Sequence, residues 1–143
     1  MAKARRLNNI ILFNGLVLVG IAIPHLIDDF LYGIPEEFGL TNVAAQALSG
    51  LFSVLLFWSF AQVGRENRVG LVSAGFLGIF LAMAGILKHV PLMLKEGPYW
   101  GGLFSEILII ALILSGLSLF SLSLYALRMI KVDNTKEVHD VQS

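Results

Sequence analysis

"VGLVSAGFLGIFLAMAGIL", residues 69–87, runs for 19 residues without a charged side chain. A helix rises 1.5 Å per residue, so about 20 mostly apolar residues cross the ~30 Å hydrocarbon core of a bilayer. The stretch is long enough and apolar enough to be one such crossing. Two other runs, Val43–Val63 and Leu103–Leu127, qualify on the same ground. A fourth, Ile10–Pro24, reaches the length if its helix starts near Leu7 and passes through the proline toward Tyr32. All four runs are continuous rather than alternating with period two, which selects helices over a barrel.

Composition points the same way. Of 143 residues, 57% are hydrophobic and 14% charged, and the mean hydropathy is +0.81. A soluble domain carries about 25% charged residues, so this chain lacks the charge to cover a water-facing surface. Lipid is its solvent. The expected fold is all-α: a polytopic membrane protein with four antiparallel transmembrane helices near 7–32, 42–64, 69–94 and 101–130. They form one domain over 1–131, and residues 132–143 make a short polar tail in which His139 is solvated. Zero net charge, with no basic patch interleaved with aromatics, speaks against nucleic acid as a partner. The absence of cysteine removes disulfides, thiolate metal sites and cysteine nucleophiles together.

Basic residues are unequally shared between the two ends of the spans. Lys3, Arg5, Arg6, Arg65, Arg68, Arg128, Lys131 and Lys136 fall on one side, and Lys88 and Lys95 on the other. The positive-inside rule then places both termini and the short "GRENR" loop (64–68) in the cytoplasm, at the plasma or inner membrane if the cell is prokaryotic. The outer side holds Asp28, Asp29, Glu36, Glu37, Glu96 and Glu106 and nets −4, against +4 inside. Tyr32, Tyr99 and Trp100 at the outer ends, with Trp58 and Tyr125 near the inner ends, fit interfacial belts. "MAKARR" resembles the basic start of a signal peptide, with Gly20-Ile21-Ala22 a passable cleavage site. The segment is better read as a signal anchor. The loop "GIPEEFGLTN" (33–42) reads as a turn with Thr41 or Asn42 capping the second helix, and "GPYWGG" (97–102) as a loop and helix start.

Small residues mark where helices meet in lipid. Gly70, Ala74, Gly78 and Ala82 recur every four residues, and Ala45, Ser49 and Ser53 do the same on the second span; both ridges are expected to face other helices. Continuing the longer ridge through Gly85 leads to His89, which therefore points into the bundle. Asn14, Leu18, Ile21, His25 and Asp28 form a like stripe on the first span. Gly102, Glu106, Ile109, Ile113 and Gly116 form one on the fourth. Counted from the cytoplasmic boundary, His25, His89 and Glu106 lie at one depth, about 27–33 Å away. Pro24 and Pro91 withhold donors from the Gly20 and Leu87 carbonyls and bend the helices beside the two histidines.

A polar layer thus emerges: His25, Asp28 and Asp29 with His89, Lys88 and Glu106. Two imidazoles and up to three carboxylates are donors for zinc, iron or manganese, on His25, Asp28, Asp29, His89 and Glu106. The same groups suit a proton relay, or a haem b held between His25 and His89; an outer side without arginine disfavours haem, whose propionates prefer it. The plain alternative is a solvated rim in which Lys88 and His89 pair with the acids. Ser105 beside Glu106 and His89 hints at a nucleophile, yet Ser115, Ser118, Ser121 and Ser123 show that serine is common here, and such serines back-bond to helix carbonyls.

Three functions are compatible with this reading. An accessory or structural subunit, docked through its small-residue ridges to other membrane subunits or to itself, leads on size and short loops. A metal- or cofactor-binding bundle, enzymatic or redox, comes next. A cation or proton transporter or channel protomer is weakened by the third span, whose core has only Ser73 as a polar side chain.

Overall fold

The computed structural model describes residues 2–37, 39–95 and 102–141, and side chains for 5–37, 39–95 and 102–130. Glu96, Tyr99, Trp100 and most of "GPYWGG" lie outside the described residues, and the side chains of Lys3, Lys131, Lys136 and His139 outside the described side chains. All elements are helical: α1 (Ala2–Leu31), α2 (Ile34–Glu37), α3 (Asn42–Gly64), α4 (Arg68–Ala84), α5 (Val90–Met93) and α6 (Gly102–Val141). A π-helical turn, Gly85–His89, joins α4 to α5. Four stretches are long and apolar enough to cross a membrane: Arg5–Leu31, Asn42–Gly64, Arg68–Met93 and Gly102–Ile130.

The spans close into a four-membered ring. α1 packs on α3 and α6, α4 packs on the same two, and the α4–α6 seam is the most extensive. The covered share of a span rises from 22% in α3 to 44% in Arg68–Met93, so α4 is the most enclosed helix and α3 turns most of its side chains toward lipid. Ile11, Leu18, Leu56, Phe60, Val63, Leu71, Leu77, Leu112 and Leu119 fill the centre. Phe13, Leu16, Val43, Leu51, Phe76 and Leu114 point outward, as a lipid solvent permits.

Ends and turns follow local chemistry. Thr41 caps α3, its side chain accepting from the Ala44 N–H at 3.2 Å, and Asn67 caps α4 by accepting from the Val69 N–H at 3.0 Å. Each satisfies a donor that a helix start leaves unpaired. Within "GIPEEFGLTN" the chain makes the short helix α2 rather than a plain turn. Pro35 suits a first helical turn, where its missing N–H costs nothing, and Ile34 and Pro35 are buried. The polar tail also departs from expectation, because α6 continues as helix to Val141. Residues 132–141 contain neither Gly nor Pro, the two residue types that most disfavour a helix.

The small-residue ridge is used inside the chain. Gly70, Ala74, Gly78 and Ala82 are all buried. A Cβ at Gly70 would stand 2.4 Å from the Val63 nitrogen, and one at Gly78 would stand 2.8 Å from the Gly116 carbonyl oxygen. The ridge lets α4 approach α3 at one end and α6 at mid-span, and it leaves no such surface for a second protein. On the shorter ridge Ala45 is buried, while Ser49 and Ser53 are half-buried and joined by a Ser53 hydroxyl bond to the Ser49 carbonyl at 2.8 Å.

Across the α1–α6 seam Asn14 Nδ2 donates to the Ser115 carbonyl at 3.3 Å. Interhelical bonds of this kind average about 0.6 kcal/mol and reach about 1.7. Asn14→Leu is therefore expected to destabilise the fold by roughly that range, read from unfolding in mixed micelles with increasing SDS.

Candidate functional site

Three elements deliver polar groups to one end of the bundle: the last turns of α1, the π turn after α4, and the first turn of α6. His25 of α1 and His89 of the π turn come from helices that stand diagonally across the ring. Both are 6% exposed, which places them inside the bundle rather than on a solvated rim. Their rings touch edge to face, with centroids 4.9 Å apart and planes at 69°. Asp29 lies one helical turn beyond His25, its Oδ2 3.6 Å from His25 Nε2.

Donor atoms of His25, Asp29 and His89 all lie within 4.8 Å of one another. Donors held 2.0–2.2 Å from one tetrahedral ion stand about 3.4 Å apart, so the His25–Asp29 pair is already near chelating separation. Small side-chain rotations, about 1 Å at the donor atoms, close the remainder. His25 Nδ1 is buried and has no hydrogen-bond partner among the described residues. A ring that ligates through Nε2 turns Nδ1 away from the ion, so this buried atom calls for a partner of its own, such as a water.

Proline chemistry explains how His89 gets there. Pro91 cannot donate to the Leu87 carbonyl and crowds it, and the helix widens one turn earlier, with the Val90 N–H bonding the Gly85 carbonyl five residues back. Such π turns recur at functional sites because they re-aim one side chain. Pro91→Ala is expected to return the segment toward α-helical register and swing His89 away from α1. A metal ion held on these three donors would then bind about 10–100-fold more weakly, the usual effect of losing a ligand's support, with helical circular dichroism unchanged.

The other polar residues are sorted differently from the expected layer. Asp28 turns to α6, where the Ser105 hydroxyl donates to its Oδ2. Glu106 is half-buried and Lys88 exposed, and neither belongs to the converging donor set. Ser105 is fully buried, and the inner face of α6 is broader than the expected stripe. Ile109 and Gly116 of that stripe are buried, Glu106 and Ile113 are half-buried, and Ser105, Leu108, Leu112, Ser115, Leu119, Ser123 and Ala126 share the face. Its spacing was available in the sequence: Ser105, Ser115 and Ser123 fall on one face at combined steps of three and four. Ser115 does back-bond, to the Ala111 carbonyl at 2.8 Å. Ser123 Oγ, by contrast, is buried without a partner among the described residues. The two histidine rings touch with centroids 4.9 Å apart and leave no slot between them for a flat macrocycle, which disfavours haem.

Below the cluster the packing is apolar. Leu18, Ile109 and Leu112 are buried between it and the Asn14–Ser115 bond, and they separate the site from the opposite end. No protein-family model, curated protein or solved structure matches this chain.

Proposed function

We propose that this chain is a small membrane protein that holds one divalent transition-metal ion at the end of its four-helix bundle, on His25, Asp29 and His89. The observation that carries it is the convergence of two buried imidazoles and a carboxylate, from two helices, on one point. Imidazole and carboxylate donors suit zinc, iron(II) and manganese(II), and the lack of thiolate disfavours copper(I). The accessory-subunit reading loses one of its two docking ridges, because the longer one is covered by α3 and α6. Transport across the bilayer is disfavoured by the apolar packing of Leu18, Ile109 and Leu112 beneath the site.

The direct test is elemental analysis of the full chain in mild detergent, after dialysis against each metal in turn. One ion per chain supports the proposal. Failure to retain zinc, iron(II) or manganese(II) removes it.

Charge bias supports cytoplasmic termini, with the site at the outer face. The chain has no cysteine, so single cysteines report topology without background. Glu36→Cys is expected to react with an impermeant maleimide applied to intact cells, and Arg65→Cys only after lysis. The reverse pattern would invert the topology.

A further inference from the structure

Resting on that metal reading, we infer that the bound ion keeps an exchangeable coordination position, open to water or a small oxygen- or nitrogen-donor anion, because Ser105 holds Asp28 away from it. Structural zinc sites are closed by four protein ligands, whereas open sites use three and leave the next position to water or substrate. Two histidines and one carboxylate with vacant positions are likewise the pattern of iron(II) sites that bind an exogenous ligand. Here the converging protein donors number three among the described residues.

The group best placed to close the site is Asp28. It lies three residues from His25, as Asp29 lies four, and both spacings bring side chains together on a helix. Yet adjacent residues point about 100° apart around the axis, and Asp28 is claimed by the Ser105 hydroxyl on α6. The Ser105 side chain is fully buried, so it acts as a fixed post rather than a mobile surface group. Asp29 is left as the ligand and Asp28 as the anchored neighbour. Ser105 is therefore a positioning residue, acting on the metal through Asp28.

Access is one-sided. Asp29 keeps 18% of its side chain exposed, while Leu18, Ile109 and Leu112 seal the far side. An exogenous ligand enters from the end of the bundle that carries α2, at the level of lipid headgroups and water. Its class is a small donor with an anionic or neutral oxygen or nitrogen, not a long apolar molecule.

Cobalt(II) makes the position visible, because its d–d absorption changes when a ligand joins or leaves. The full chain in detergent micelles is loaded with cobalt(II) and titrated with azide. A saturable shift of the visible bands is expected. Asp28→Asn keeps an acceptor for Ser105 but is a poor ligand, and it should bind cobalt and respond to azide like the parent. Ser105→Ala frees Asp28 to complete the site, so it should retain cobalt and lose the azide shift. Ser105→Thr, which restores a hydroxyl, should recover it. Cobalt binding with bands that azide never moves would overturn the inference and leave the metal reading standing. In that case Glu106→Gln, if it opened the site to azide, would name the fourth ligand. Loss of cobalt binding in Asp28→Asn would overturn it too, by making Asp28 a ligand. No cobalt binding by the parent chain would bring down both.

Discussion

The double variant His25→Ala/His89→Ala is expected to lose metal by more than about a hundredfold in affinity, since removing groups that merely support a ligand already costs 10–100-fold. Two of the three converging donors would be gone, leaving Asp29 as a lone carboxylate near the membrane surface. The effect should be read by elemental analysis and by competition with a chelating dye on protein in detergent. The two rings pack on each other at 4.9 Å, and their truncation also leaves a small cavity, so folding must be checked independently by circular dichroism and elution profile. The single variants His25→Gln and His89→Gln preserve most of the volume and should each weaken binding. If the folded double variant kept its full complement of metal, the ion would sit elsewhere and the site would be an internal polar contact.

Substitution of Gly78 by valine should be among the most damaging changes to the fold itself. A Cβ there would lie 2.8 Å from the Gly116 carbonyl oxygen and 3.1 Å from the Leu119 Cβ, and the reciprocal Cβ at Gly116 would lie 2.6 Å from the Gly78 carbonyl oxygen. Backbone cannot step aside as a flexible side chain can. Forcing α4 and α6 apart along their seam should cost at least the 1–3 kcal/mol typical of overpacking. Gly20 offers the contrast, since nothing lies within 4 Å of its Cβ position. Gly20→Ala is expected to be neutral or mildly stabilising, as alanine favours helix over glycine. SDS-driven unfolding in mixed micelles would rank the three proteins. A Gly78→Val chain as stable alone as the parent would mean that the ridge serves an external partner instead.

Much of the fold was legible because its causes are local. Unbroken apolar length marks a span, Thr41 at the start of α3 is a side-chain cap, and small residues every four positions mark a close helix approach. Asn14 and His25 were placed on the inner stripe of α1 by periodicity, and the structure buries His25 and bonds Asn14 to Ser115. On α6 the expected stripe holds at Ile109 and Gly116, which are buried, while Glu106 is half-buried and its neighbour Ser105 takes the innermost place. In a helix apolar nearly all round, the periodic signal is weak, and one charged residue pulled the choice toward itself. The π turn was hidden as well: Pro91 announces a disturbed helix but does not say whether it will bend, break or widen.

Solvent, span count and the gathering of polar groups at one end followed from the sequence alone, because composition and 1.5 Å per residue decide them without reference to neighbours. The roles of Asp28 and Asp29 did not. Adjacent carboxylates differ only by about 100° of rotation about α1, and that rotation is set by how α1 seats against α3 and α6. Tertiary packing alone turned Asp28 to Ser105 and left Asp29 with the two histidines.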